Sequence, residues 1–204
     1  TFCKKILVDS LKVKKIIVGQ DFKFGKERKG NVELLSSLGK KNDFEVIISE
    51  TVSESKVNIS STLIRNLLSD GKVSEIKKYL GRWHCFYGEV INGDKRGRKL
   101  GFPTINLKLE NLYIPRFGIY TSIVEIETGK NKGLYKGVVS VGERPTFGIN
   151  KPNFEVHLFD FNANIYGETV IVSLTKFQRS EVKFNNSENL IIQMKKDCEI
   201  AKEN

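Results

Sequence analysis

Five segments between residues 86 and 177 alternate apolar and polar side chains with period two. FYGEVI (86–91), IYTSIVEIE (119–127), YKGVVSVG (135–142), NFEVHLFDF (153–161) and ETVIVSLTKF (168–177) all show this period. Period two sends alternate side chains to opposite faces, so each segment reads as a strand with one face available to a core. Glycines and Asn-rich turns separate the segments, and no helical spacing intervenes until SENLIIQMKKDCEIAKE at 187–203. Strands without crossovers pair antiparallel. An open sheet of such strands would leave two unpaired edges, which closure removes. The pattern predicts a six-stranded antiparallel β-barrel with a C-terminal helix laid against it.

Residues 1–80 obey a different rule. The spacing of Phe2, Ile6, Leu7 and Leu11 predicts a helix, and the short apolar run KKIIVG (14–19) a buried strand. A second helix is expected from Gly30 to Leu38 and a second strand at FEVIIS (44–49). SSTLIRNLLSDG (60–71) has a helix start at Ser60 or Ser61 and a stop at Gly71. VSEIKKYLG (73–81) adds a short helix. Helices alternating with fully apolar strands imply a parallel, doubly wound, Rossmann-like sheet. The expected organisation is therefore an α/β part over 1–80 and an all-β part over 81–204.

Composition narrows the function classes. With 39% apolar residues in 204, the chain can bury a core, but no stretch approaches the roughly 20 apolar residues of a membrane helix. No membrane partner is expected. TFCKKILVDS has neither an initiator Met nor a signal-peptide layout, and reads as the start of a piece of something longer. The net charge of +10 raises nucleic-acid binding. The lysines are scattered among acidic residues, however, without an arginine-rich tract or stacking aromatics on basic strands. Phosphorylated small molecules account for the charge as well, and no nucleic-acid partner is expected. Cys3, Cys85 and Cys198 are isolated and odd in number, which fits a reducing, cytoplasmic setting without a zinc site. Oligomeric state is not legible.

The segment GDKRGRKLGFPTINL (93–107) is the one most loaded with chemistry. Gly93 and Gly97 allow backbone N–H groups to turn toward phosphate oxygens, and Lys95, Arg96, Arg98 and Lys99 add positive charge. A solvated basic hairpin is the plainer alternative. Pro103 fixes its own φ and biases Phe102 toward extended geometry, which stiffens the chain on either side. Thr104 and Asn106 then share one face of a strand. Their hydroxyl and amide oxygens are hard ligands suited to Mg²⁺; a turn-stabilising Thr and a strand-end Asn are the alternative. In NFEVHLF, Glu155 is a carboxylate on an otherwise apolar strand, costly to bury without a partner.

Several of these stretches, in this order, resemble one family. FYGEVINGDKRGRKLGFPTIN (86–106), PRFGIYTSIVEI (115–126), GVVSVGERPTFG (137–148) and NFEVHLFDFNANIYG (153–167) are similar to riboflavin kinase. IIVGQDFKFGKERKGNVELL (16–35) and ISSTLIRNLL (59–68) resemble the adenylyltransferase module of the prokaryotic bifunctional riboflavin kinase/FAD synthetase. The resemblance implies transfer of the ATP γ-phosphoryl to riboflavin to give FMN, with small-molecule substrates and Mg²⁺. It implies Glu155 as the catalytic base. Gly93, Gly97, Arg98, Lys99, Thr104 and Asn106 are implied at ATP, with Thr104 and Asn106 also on the metal. Phe147 and Arg179 are implied at the flavin, and His157 is expected to be structural. Ser60, Ser61, Thr62 and Arg65 match the family's second adenylyl-site motif. The module's H-x-G-H segment occurs nowhere in the chain, so residues 1–80 are expected to be a nucleotidyltransferase part that does not itself make FAD. A flavin- or nucleotide-binding module without turnover and a basic RNA-binding β-barrel are the alternatives.

Overall fold

The computed structural model of the protein describes residues 2–50, 53–54, 57–93, 96–108, 112–144 and 151–203. The chain divides into two compact units, 1–59 and 60–204.

In the first unit, Phe2–Ser10 is wound as a π-helix that buries Cys3 and Leu7. Strand β1 (Lys15–Gly19) leads through helix α1 (Val32–Lys41) to β2 (Glu45–Ser49). The two strands pair in parallel, with Ile17 opposite Ile47. Asn31 caps α1 by accepting the Leu34 N–H at 3.0 Å. Leu35 and Val32 of α1 pack with Val18, Phe44 and Leu7, joined by Phe22 and Phe24. Gly39 lets α1 lie close to β2, since a Cβ there would meet the Phe44 carbonyl oxygen at 2.7 Å. The expected parallel layout is thus present as one βαβ unit. A short hairpin, β3 (Ser53–Glu54) with β4 (Val57–Asn58), comes next.

The second unit opens with α2 (Ser61–Ser69), whose cap Ser60 accepts the Leu63 N–H at 3.2 Å. Helix α3 (Val73–Leu80) ends at Gly81, which takes the left-handed conformation at φ 69°. Then come β5 (His84–Ile91), a single turn α4 (Arg96–Lys99), β6 (Ile105–Lys108), β7 (Gly118–Ile126), β8 (Gly133–Arg144), β9 (Lys151–Leu158), β10 (Thr169–Arg179) and α5 (Ser187–Glu203). Strands β5 to β10 close into a six-stranded antiparallel barrel in the order β10-β5-β6-β9-β8-β7. Its interior is filled by the inward-facing half of each alternating pattern, including Phe86, Val90, Tyr120, Val124, Val139, Phe154, Val156 and Leu174. Burial pushes the Tyr120 phenol well above its ordinary range, and its hydroxyl donates to the Arg116 carbonyl. Leu67, Leu68, Val73 and Ile76 from α2 and α3 belong to this same core. Sequence periodicity groups these helices with the α/β part, whereas their apolar faces pack on the barrel. Helix α5 rests Ala201 on an outer patch made by Ile119, Val138 and Phe159.

Candidate active site

The closing order of the barrel seats β6 between β5 and β9, and this creates the site. Asn106 of β6 stands in register with Glu155 of β9, and Glu155 is in turn paired with Ser140 of β8. Thr104, just before β6, donates its hydroxyl to Glu155 Oε2 at 3.2 Å. Asn153, two residues before Glu155 on the same strand face, donates its amide to Oε1 at 2.7 Å. The stiff segment is held from below: His157 Nδ1 lies 2.8 Å from the Pro103 carbonyl oxygen. A carbonyl only accepts, so that ring nitrogen carries the proton. His157 also meets Phe102 and Phe159 edge-on. It is a structural brace, joining the Pro103 turn to the strand that carries Glu155.

Asn106 is 6% exposed, and its Oδ1 has no hydrogen-bond partner among the described residues. A buried acceptor left unpaired is costly. Gly93 passes against the same side chain so closely that a Cβ would collide with the Asn106 amide. Gly97 is equally restricted: a Cβ there would run into the Phe102 carbonyl oxygen and reach Thr104 Oγ1 at 3.4 Å. The two glycines are therefore required for close approach of the basic turn to Thr104 and Asn106. An orphaned amide oxygen two residues along the chain from a hydroxyl oxygen fits a hard, oxygen-seeking cation such as Mg²⁺.

Thr104 lines two cavities. One, of about 40 Å³, is lined by Arg98, Pro103, Thr104 and the turn from Phe161 to Tyr166. The other, of about 400 Å³, is lined by Thr104, Glu155, Ser140 and His157 on the barrel, and by Arg179, Leu190, Met194 and Cys198. The larger volume lies within the roughly 300–1,000 Å³ of small-molecule sites. Leu190, Met194 and Cys198 of α5 thus wall a cavity, and Cys198 also packs on the outer patch of the barrel. Burial and the neighbouring Asp197 carboxylate push the Cys198 thiol up to about 11, so it stays protonated and apolar near neutrality.

Arg179 reaches this wall with its guanidinium already engaged. Nε and Nη2 donate to the two oxygens of Asp197 at 2.9 and 2.6 Å, and Nη1 to the Ser180 carbonyl at 3.0 Å. Gln193 adds a bond to Asp197 Oδ1 at 2.9 Å. Lys99 is exposed and lines neither cavity. Ser60, Ser61, Thr62 and Arg65 lie exposed at the start of α2 and line neither cavity either. Phe147 falls outside the described residues. Among the described residues, no cluster of three or more His, Cys, Asp or Glu is arranged to hold a metal ion.

Residues 80–204 match the family model for riboflavin kinase, and residues 1–63 match that for FAD synthetase. The first match spans more than half of the chain. The chain belongs to the riboflavin kinase family. A bifunctional riboflavin kinase/FMN adenylyltransferase of Buchnera aphidicola subsp. Schizaphis graminum is 41% identical to it, over 98% of this chain and 64% of the relative. The protein of the same description from Escherichia coli K12 is 36% identical over 99% of this chain and 64% of its own length. This riboflavin kinase family member thus spans just under two thirds of those relatives. A crystal structure from Streptococcus pneumoniae, described as a macrolide-efflux protein, superposes with a TM-score of 0.79 at 38% identity, covering 98% of this chain and 64% of that one. Among the described residues, no helix of the present chain is long and apolar enough to cross a membrane.

Three features of this family member escaped sequence reasoning. Asn153 carries a legible signal, since it stands two residues before an acid on one strand face. Asp197 carries none, because it lies eighteen positions from Arg179 in an ordinary helical pattern. The turn from Asn162 to Tyr166 reads as a loop, and only barrel closure brings it opposite Arg98.

Proposed function

We propose that the chain is a riboflavin kinase, transferring the γ-phosphoryl of ATP to the 5′-hydroxyl of riboflavin to give FMN and ADP. Thr104 carries this assignment: one side chain lines both cavities and donates to the Glu155 carboxylate, which lines the larger. The family membership and the names of the relatives point the same way.

In this scheme the nucleotide phosphates lie on the Arg98 side, cradled by the turn that Gly93 and Gly97 permit. Thr104 and Asn106 would hold Mg²⁺, which when bound neutralises charge on the phosphate oxygens. Riboflavin occupies the larger cavity, with Arg179 as part of its wall and Phe147 as a further flavin contact. Glu155 accepts the hydrogen bond of the 5′-hydroxyl and aligns it with the γ-phosphorus. The new O–P bond forms as the bond to the bridging oxygen breaks, ADP leaves with that electron pair, and the hydroxyl proton passes to the Glu155 carboxylate. Phosphoryl transfer through a loose transition state places more weight on alignment than on basicity.

Full-length relatives are described as also carrying FMN adenylyltransferase activity. We assign Ser60, Ser61, Thr62 and Arg65 to that second reaction, with FAD as the product of the intact protein, and place both reactions in the cytoplasm. Incubation with riboflavin, ATP and Mg²⁺, then chromatography of the flavins, tests the scheme. FMN without FAD is the expected product of this chain. Glu155→Gln is expected to lower turnover by about 100-fold or more while ATP affinity stays within about twofold. Flavin binding without FMN would favour a non-catalytic module instead.

A further inference from the structure

Glu155 makes no ion pair among the described residues. Among the described residues its carboxylate makes two hydrogen bonds, both from neutral donors: Thr104 Oγ1 on Oε2 and Asn153 Nδ2 on Oε1. The two donors are not equivalent. A threonine hydroxyl has one proton, and in the proposed scheme the Thr104 oxygen would also be a ligand of Mg²⁺. Among the described residues the Asn153 amide donates a side-chain hydrogen bond to Glu155, and this bond is the shorter of the two. An ionised carboxylate accepts only, so the nitrogen, not the oxygen, of the Asn153 amide must face it.

We infer that Asn153 is a positioning residue for phosphoryl transfer, fixing the Glu155 carboxylate so that its free lone pairs point to the substrate hydroxyl. The inference rests on the assignment of Glu155 as the base. Glutamate has three side-chain torsions, and Glu155 is half-buried, so its carboxylate needs partners to fix them. One donor on each oxygen sets both the tilt and the rotation of the carboxylate plane. An amide does this without carrying charge. A lysine or arginine in its place would hold the carboxylate more tightly but would compete for its electron density with the incoming hydroxyl. Asn153 does not line the flavin cavity, so it acts through Glu155 and not on substrate.

Asn153→Asp tests this, because it keeps the shape of the side chain and replaces the donor with a second acceptor. Steady-state FMN formation by the full chain is expected to show kcat reduced by about 10- to 100-fold. KM for ATP and for riboflavin is expected to stay within about twofold, since binding surfaces are untouched. Asn153→Ser, smaller and neutral, is expected to lose kcat in the same direction and supports the test if the aspartate variant does not fold. In a Glu155→Gln background, Asn153→Ser is expected to cost nothing further. Wild-type kcat in both Asn153 variants would overturn the inference while leaving Glu155 as the base. A raised KM with unchanged kcat would overturn it too. Wild-type turnover in Glu155→Gln alone would remove the base assignment and this inference with it.

Discussion

Asn106 and Gly93 show how much a single contact decides in this site. The asparagine is buried with an oxygen that is unpaired among the described residues, and the glycine backbone lies where a methyl group would strike its amide. Adding that methyl should displace Asn106 from the orientation in which its oxygen is available. Gly93→Ala is therefore expected to raise KM for Mg·ATP by about 100-fold, the scale of a misplacement of about 1 Å. Circular dichroism and the thermal midpoint should stay close to those of the parent, because Gly93 lies in a loop outside the barrel core. Unchanged nucleotide kinetics would show that Asn106 tolerates the shift. The motif GDKRGRKLGFPTIN made these residues candidates. Only the pairing of β6 with β9 put them beside Glu155.

At the scale of elements, the β10–α5 contact is the least visible from sequence. Arg179 ends β10 with its side chain 22% exposed, and Asp197 on α5 is 4% exposed. Their two parallel hydrogen bonds, with a third from Gln193, hold the helix that walls the larger cavity. The resemblance implied Arg179 as a flavin contact; it lines the larger cavity while its guanidinium is bound to the Asp197 carboxylate. Asp197→Ala leaves a largely buried cation without its partner. A loss of about 3 kcal/mol in stability is expected, read from the urea midpoint of the full chain. A loss below about 1 kcal/mol would mean that water replaces the carboxylate readily.

For the whole molecule, the question is where the barrel-bearing unit begins. The sequence reading places a boundary at 80/81 and the kinase family match begins at residue 80, whereas the compact unit begins at residue 60. Leu68, Val73 and Ile76 are at most 1% exposed within the barrel's own cluster. Each such side chain contributes about 1.5–3 kcal/mol when buried. A chain starting at residue 60 is expected to unfold cooperatively at a midpoint close to that of the barrel in the full protein. A chain starting at residue 81 is expected to melt at a clearly lower temperature or to aggregate. Equal midpoints for the two would show that α2 and α3 add nothing to the barrel.

Local rules were enough for most of the elements. Period two gave five of the six barrel strands, helical spacing gave the longer helices, Ser60 and Gly71 marked helix ends, and an apolar run on either side of a helix gave the parallel pair. These signals reach only a few residues along the chain, so they are written in it directly. The partners of Glu155, the bond between Arg179 and Asp197, and the inclusion of α2 and α3 in the barrel core join positions from 18 to more than 50 residues apart, apart from Asn153 two places away. No periodicity encodes such pairings. They exist because closing the barrel sets which strands are neighbours and in what register, and burial then obliges each polar group to take whatever partner that register supplies.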